Sequence, residues 1–269
     1  MGAPAQTLGD TGPLRAGCSL RAGFRAAQLV AATVFFYALL GAGRIPARAL
    51  EGSADGWTQW TFGAWARTVL RVLRVRLHIV GAPPAPPFLL VSNHLSYLDV
   101  LVFAAVVRPV FIARSDVADW SFIGRLTRAV GTIFVDRALK RDLPRVAGAV
   151  EDRLRRGLGV ILFAEGTSTD GSDVLPFKPS LLEPASRAGI ETHYASLAYD
   201  TPADAPPARL AVCWWGDMDF GPHLRSLLRV RRVEARVTFG PRPIASADRK
   251  VLAEELWQAI RRQHRPPPR

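Results

Sequence analysis

Phe88-Leu89-Leu90-Val91-Ser92-Asn93-His94-Leu95-Ser96-Tyr97-Leu98-Asp99 is the stretch around which this chain is organised. Its first four residues form an apolar run entered from the Pro-rich segment Gly81-Ala82-Pro83-Pro84-Ala85-Pro86-Pro87, which predicts a loop feeding a short buried strand. After Asp99, the apolar run Val100–Val107 predicts the body of a helix. His94 therefore falls where a strand ends and a helix begins, the place at which open α/β sheets bind ligands. Ser96 and Asp99 make an S-x-x-D capping pattern for that helix. The same Asp99 can instead fold back across the turn to His94. A neutral imidazole takes a proton from a hydroxyl only if its other nitrogen already carries one, and a carboxylate bonded there fixes that tautomer. Two readings stay open at this point: a general base with its orienter, and a capped helix with a histidine in its turn.

Outward from this stretch, short apolar runs alternate with helical patterns. Strands are predicted at Phe88–Val91, Val110–Ala113, Thr132–Val135, Gly159–Phe163, His193–Ala198, Leu210–Trp214 and Ala235–Phe239. Helices are predicted near Leu98–Val107, Trp120–Val130, Leu143–Arg155, Lys178–Ala188, Pro222–Leu228 and Asp248–Arg262. The alternation points to an α/β fold: a single layered domain with a mostly parallel central sheet flanked by helices, plus N-terminal membrane-associated helices. Residues 1–23 read as a disordered basic leader, 24–80 as a membrane-anchoring segment with an amphipathic helix, 81–262 as the main domain and 263–269 as a disordered basic tail.

Ala26–Gly43 carries no charge and is bracketed by Arg25 and Arg44. About 18–20 apolar residues just span a bilayer core, so the segment is a candidate for a span or a half-inserted anchor, with a cleaved signal peptide as the rival reading. From Trp57 to Arg76, helical periodicity puts Trp65, Val69 and Val72 on one face and Arg67, Arg71 and Arg74 on the other, a pattern suited to the headgroup plane or to packing on the domain. The chain has 269 residues, 49% of them hydrophobic, yet its net charge is +12. A chain both apolar and basic suits a membrane surface; nucleic acid is the rival polyanion, but no zinc-finger spacing, RNA-binding aromatic signature or heptad-linked basic helix is present, and no nucleic-acid partner is expected. Cys18 and Cys213 are too far apart in sequence to suggest a disulfide framework.

Two further blocks carry polar chemistry at the end of an apolar run. In Gly131-Thr132-Ile133-Phe134-Val135-Asp136-Arg137, Arg137 is placed to clamp a phosphate or carboxylate, or else to pair locally with Asp136. In Phe163-Ala164-Glu165-Gly166-Thr167-Ser168-Thr169-Asp170-Gly171, Gly166 permits close backbone approach, Thr167 and Ser168 supply hydroxyls, and Glu165 either orders the loop or accepts from a polyol; a plain turn is the alternative. There is no G-x-S-x-G elbow, H-E-x-x-H, P-loop or complete dinucleotide fingerprint, and nothing in the sequence suggests a metal site. His78 and His193 read as core or edge histidines, His223 and His264 as surface ones.

Asn93-His94-x-Ser96-x-x-Asp99 resembles the His-x4-Asp signature of the lysophospholipid and glycerol-phosphate acyltransferases, and the two later blocks match that family in order and approximate spacing. The resemblance runs from about Phe88 to Ile244. It implies that residues 81–262 form an acyltransferase domain that moves a fatty acyl group from a thioester, acyl-CoA or acyl carrier protein, to the hydroxyl of a lysophospholipid. His94 and Asp99 are then catalytic, and Arg137, Glu165, Gly166 and Thr167 bind substrate; no cofactor beyond the acyl-carrying co-substrate is needed. The implied setting is phospholipid metabolism on the cytoplasmic face of a membrane. The sequence departs from the family in having Ala164 where Pro is usual and Ser168 where many phosphatidic-acid-forming members have Arg; Lys178 is the candidate to replace that charge. The expected acceptor is 1-acyl-sn-glycerol-3-phosphate, giving phosphatidic acid. Ser168 and the run Trp214-Trp215-Gly216-Asp217-Met218-Asp219-Phe220 look more like the branch that acylates lyso-ornithine lipid, which is the alternative. An alternative of another class is a non-catalytic membrane-surface module that binds lysolipid without a base.

Overall fold

The computed structural model describes residues 15–136 and 142–266. Its helices are α1 (Arg15–Glu51), α2 (Asp55–Val72), α3 (Leu98–Val106), α4 (Ser121–Ala129), α5 (Leu143–Arg155), α6 (Pro179–Arg187), α7 (Ala208–Ala211), α8 (Phe220–Arg229) and α9 (Arg249–Gln263). Its strands are β1 (Val75–Val80), β2 (Phe88–Ser92), β3 (Val110–Arg114), β4 (Ile133–Val135), β5 (Gly159–Phe163), β6 (Thr192–Asp200) and β7 (Val233–Phe239). They form one seven-stranded sheet in the order β1-β7-β6-β2-β5-β3-β4. Each neighbouring pair is parallel except β6 with β7.

Strand alternation divides the core between the two faces of this sheet. Phe88 and Leu90 of β2 point to one face, where Phe62 and Leu70 of α2, Val102 and Phe103 of α3 and Leu227 of α8 pack. Leu89 and Val91 point to the other, against Val146 and Val150 of α5, Leu182 of α6 and Leu256 of α9. Every residue of β2 and β5 is buried, as a parallel strand covered on both faces requires. This buried centre fixes the end of β2, and with it the turn that carries His94.

Four expectations from sequence are corrected. The segment Leu210–Trp214 is not a strand: Pro206 and Pro207 start the short helix α7, and the chain then turns so that the Trp214 amide donates to Leu95 O at 2.8 Å. The helix expected to reach Arg76 stops at Val72, because Arg74 turns left-handed (φ 57°) and releases the chain into β1, for which the period-two run Val75, Leu77, Ile79 is the local signal. Within α2, Arg67, on the face opposite Trp65, is half-buried and donates to Ala105 O at 3.3 Å at the end of α3, as packing on the domain requires. The leader expected to be disordered is helical from Arg15, since α1 continues backward through residues 15–23. Similarly α9 runs to Gln263, and His264 of the expected tail bonds Gly171 O through Nε2 at 2.8 Å.

Helix α1 is long and apolar enough over Leu20–Glu51 to cross a membrane by length and composition, with a mean hydropathy of 1.7 and 6% of that apolar window buried. Its contacts with the domain recur along its length. The buried Arg25 guanidinium donates to Leu228 O and Val230 O at 2.9 and 2.6 Å, satisfying carbonyls at the end of α8. Trp65 Nε1 donates to Thr33 Oγ1 at 3.1 Å, Trp57 Nε1 to Leu39 O at 3.3 Å, and Arg44 to Ala129 O at the end of α4.

Candidate active site

The turn after β2 is held by bonds from several elements. Asn93 is buried and mimics a strand residue toward β6, donating through Nδ2 to Leu197 O (2.9 Å) and accepting from Leu197 N at Oδ1 (2.8 Å). The His94 amide donates to Glu165 Oε1 at 2.7 Å, and His94 O accepts from Thr169 N at 2.9 Å. Leu95 O accepts from Trp214 N at 2.8 Å. Sequence gives little warning of these partners, which lie 71 to 104 residues away for Glu165 and Leu197.

Asp99 does both things the sequence allowed. Its Oδ2 accepts from the Leu95 and Ser96 amides at 2.6 and 3.1 Å, the carboxylate half of a capping box, and from His94 Nδ1 at 2.7 Å. The hydroxyl half is missing, for Ser96 Oγ is buried without a partner and Tyr97 is the cap residue of α3. The remaining oxygen, Oδ1, accepts from Tyr199 Oη at 2.8 Å. Asp99 is fully buried, while the His94 side chain keeps 23% of its surface exposed. A carboxylate that accepts at Nδ1 leaves the proton there and Nε2 as the open lone pair, with no protein partner at Nε2 among the described residues. The ring plane is fixed by Phe163, stacked on it at 4.2 Å and 13°. Such an imidazole can remove a proton from a hydroxyl presented at its exposed edge.

Glu165, expected to touch substrate, is instead 2% exposed, with Oε1 on the His94 amide and Oε2 on the Leu175 amide at 2.9 Å. Burial pushes its carboxyl up to about 7, against the two backbone donors that pull it down. Gly166 has φ +78°, a left-handed conformation cheap only for glycine, which lets the loop reverse directly after the buried carboxylate. Thr167 is exposed and Ser168 half-buried on this loop. Lys178 is exposed, and its amide donates to Ala164 O at 2.9 Å, which brings the start of α6 beside the loop. Arg137 lies outside the described residues. The connection that carries it is clasped nearby: Asp142 accepts the Asp136 amide at 2.9 Å and Arg145 Nε at 2.6 Å, and the Arg145 guanidinium holds the Asp142 carboxyl down to about 2.

Beside the turn, Tyr97 packs edge-on against Trp214, Phe220 and His223, and its hydroxyl sits 3.1 Å from His223 Nδ1. His223, read as a surface residue from sequence, is buried, and desolvation lowers its pKa. Tyr199 and Asn93 are the members of the site that sequence reasoning missed. Their partners are set by the register of β6 against β2, which is not a local property.

The profile of the Acyltransferase family matches residues 74–199, which hold all of this turn, Glu165 and Tyr199. A lyso-ornithine lipid O-acyltransferase of Brucella abortus is 35% identical over 77% of this chain and 82% of its own length. One of Rhodobacter capsulatus is 34% identical over 90% of this chain and 88% of its own. A 1-acyl-sn-glycerol-3-phosphate acyltransferase of Neisseria meningitidis is 30% identical over 72% and 77%. The crystal structure of the 1-acyl-sn-glycerophosphate (LPA) acyltransferase from Thermotoga maritima superposes with a TM-score of 0.59 over 89% of this chain and 97% of that one, at 17% identity, which is a likeness of fold. With the profile falling on the His94 turn and relatives above 30% identity aligned over most of their length, this chain belongs to the acyltransferase family.

Proposed function

We propose that the chain is a membrane-associated O-acyltransferase that moves a fatty acyl group from a thioester donor to the hydroxyl of lyso-ornithine lipid. The observation that carries the chemistry is the 2.7 Å bond from His94 Nδ1 to the buried Asp99, which leaves Nε2 open. His94 Nε2 takes the acceptor's hydroxyl proton as that oxygen attacks the thioester carbonyl, and Asp99 steadies the imidazolium. Collapse of the adduct breaks the carbon–sulfur bond; the departing thiolate receives the proton from His94, and the new ester leaves. Gly166, Thr167, Arg137 and Lys178 surround the acceptor's headgroup in this reading, while Glu165 acts on His94 through its backbone.

The order of the two acceptors set out from sequence is reversed here. Lyso-ornithine lipid is supported by Ser168 and by relatives of that description at 35% and 34% identity. The second reading, 1-acyl-sn-glycerol-3-phosphate, is supported by the Neisseria relative at 30%. Membrane association is supported by α1, whose apolar side chains Phe24, Val30, Val34, Phe35, Ile45 and Leu50 are exposed. The test offers purified chain both acceptors with acyl-CoA and with acyl carrier protein and identifies the lipid product by mass spectrometry. His94→Ala is expected to lower turnover by about 10²–10⁴-fold with an unchanged thermal melt. Near-normal turnover in that folded variant removes His94 as the base, and exclusive formation of phosphatidic acid restores the second acceptor.

A further inference from the structure

The loop between β5 and α6 is anchored at its ends and polar in its middle. Glu165 bonds the Leu175 amide across the mouth of the loop at 2.9 Å, and Val174 and Phe177 are buried in the same core layer as Leu256 of α9. Between these anchors, Gly166-Thr167-Ser168-Thr169-Asp170-Gly171-Ser172-Asp173 contains no hydrophobic residue. Burial of apolar side chains therefore cannot fix the shape of this bend, and polar contacts must do so. Some are internal: Asp170 Oδ1 accepts from the Ser172 amide at 3.0 Å and from its hydroxyl at 2.7 Å. On one side the Thr169 amide ties the bend to His94 O at 2.9 Å.

On the other side the last turns of α9 take hold of it. Trp257 Nε1 donates to Val174 O at 2.9 Å, the Arg261 fork reaches both Asp173 oxygens at 3.0 and 2.7 Å, and His264 Nε2 donates to Gly171 O at 2.8 Å. Residues 257, 261 and 264 are spaced i, i+4, i+7, so a single helical face meets the returning half of the bend. The Arg261 guanidinium also lies over the Trp257 ring, 5.2 Å from its centroid, which steadies the fork. Helix α9 is itself rigidly seated, with Leu252, Leu256 and Ile260 fully buried.

The energetics separate geometry from stability. The Arg261 and Asp173 side chains are 51% and 52% exposed, and an ion pair so open to water adds little to folding. Two parallel N–H···O bonds nonetheless fix direction as well as distance. Thr167 and Ser168, the hydroxyl-bearing side chains closest to the base along the loop, lie in the half of the bend that runs from Glu165 to the Thr169 tether. Without the hold from α9, the bend hangs from His94 O and its own turn bonds.

We propose that the last turns of α9 are a positioning element for this loop, with Arg261 and His264 holding its bend against the His94 turn so that Thr167 and Ser168 meet the acceptor in one register. The proposal rests on the acyl-transfer reading above, and neither residue touches the reacting atoms. Arg261→Gln, Asp173→Asn and the double variant are compared as full chains in neutral detergent. Each single substitution is expected to raise acceptor KM by about five- to tenfold, with thioester KM and the melting temperature unchanged. Arg261→Lys, which keeps the charge and loses the fork, falls between parent and Arg261→Gln. Because both substitutions break the same pair of bonds, the double variant is no worse than the worse single one. Hydrogen exchange reads the loop without turnover: amides of residues 169–172 exchange faster in Arg261→Gln than in the parent. That result in a chain that transfers no acyl group sinks the proposed reaction and leaves the hold on the loop standing. Unchanged exchange, additive effects in the double variant, an equal rise in both KM values, or a lower melting temperature with both KM values unchanged overturns the proposal.

Discussion

Tyr199 reaches Asp99 from 100 residues downstream, and its hydroxyl is what completes the carboxylate that orients the base. Tyr199→Phe removes only that hydroxyl and leaves Oδ1 buried and short of a donor, at a cost of about 1–3 kcal/mol. The expected outcome is a lower melting temperature and a reduced kcat with both KM values unchanged; a fall in stability alone would make Tyr199 a core residue and nothing more. Glu165 acts at the same scale through pH. Its folded pKa is raised to about 7 while an unfolded glutamate titrates in the ordinary carboxylate range, so between these values the folded chain holds a proton the unfolded chain has lost. Stability from this group is full at the acid end and is lost as pH rises through about 7, by roughly 3 kcal/mol at most. Glu165→Gln should flatten that slope in melts taken from pH 5 to 8, and a slope that survives the substitution belongs to another group. The His94–Asp99 pair was legible from sequence because its partners are five residues apart. Glu165 and Tyr199 were not assigned these roles because each depends on which strands become neighbours.

At the scale of elements, α1 and α2 were both read as membrane-facing, and the structure separates them. Phe62, Ala66, Val69 and Leu70 of α2 belong to the core beneath β2, so α2 is part of the domain's hydrophobic layer. Its tryptophans divide: Trp57 and Trp65 bond α1, while Trp60 is 44% exposed. The arginine–tryptophan pattern that suggested an interfacial helix does not distinguish lipid from a second helix, since both offer an apolar surface with polar groups at its margin. Helix α1 is different, with its apolar window almost wholly uncovered. Removing residues 1–51 is therefore expected to shift the protein from the membrane fraction to detergent-free solution with its domain folded. Removing residues 1–76 takes α2 and the start of β1 as well and should abolish the cooperative melt. Recovery of the full chain from membranes by high salt alone would assign its retention to the +12 charge in place of α1.

For the molecule as a whole, what sequence made legible is what is local. Periodicity located β2, β5, α5 and the His94 turn because each is specified by its own residues. It misjudged Leu210–Trp214, where the proline pair outweighs an apolar run, and it gave no strand order, because pairing between β1 and β7 joins segments more than 150 residues apart. The acceptor is a property of the assembled chain in the same sense, since Thr169 ties the loop after β5 to the His94 turn and Lys178 binds the start of α6 beside that loop. Ser168 is the point at which it can be tested. The residue that follows it, Thr169, donates its amide to His94 O at 2.9 Å, so a side chain at 168 is held close to the base by the backbone. An arginine there adds a fork suited to a phosphomonoester, whereas the ornithine headgroup brings an amine that the added charge repels. Ser168→Arg is accordingly expected to raise the ratio of kcat/KM for 1-acyl-sn-glycerol-3-phosphate over lyso-ornithine lipid by about tenfold, a difference of roughly 1.4 kcal/mol in transition-state binding. Because the substitution falls on a half-buried loop position outside both core layers, the melting temperature should hold, and steady-state kinetics with the two acceptors read the effect directly. An unchanged ratio would place the headgroup away from this loop and shift the discrimination to the connection after β4.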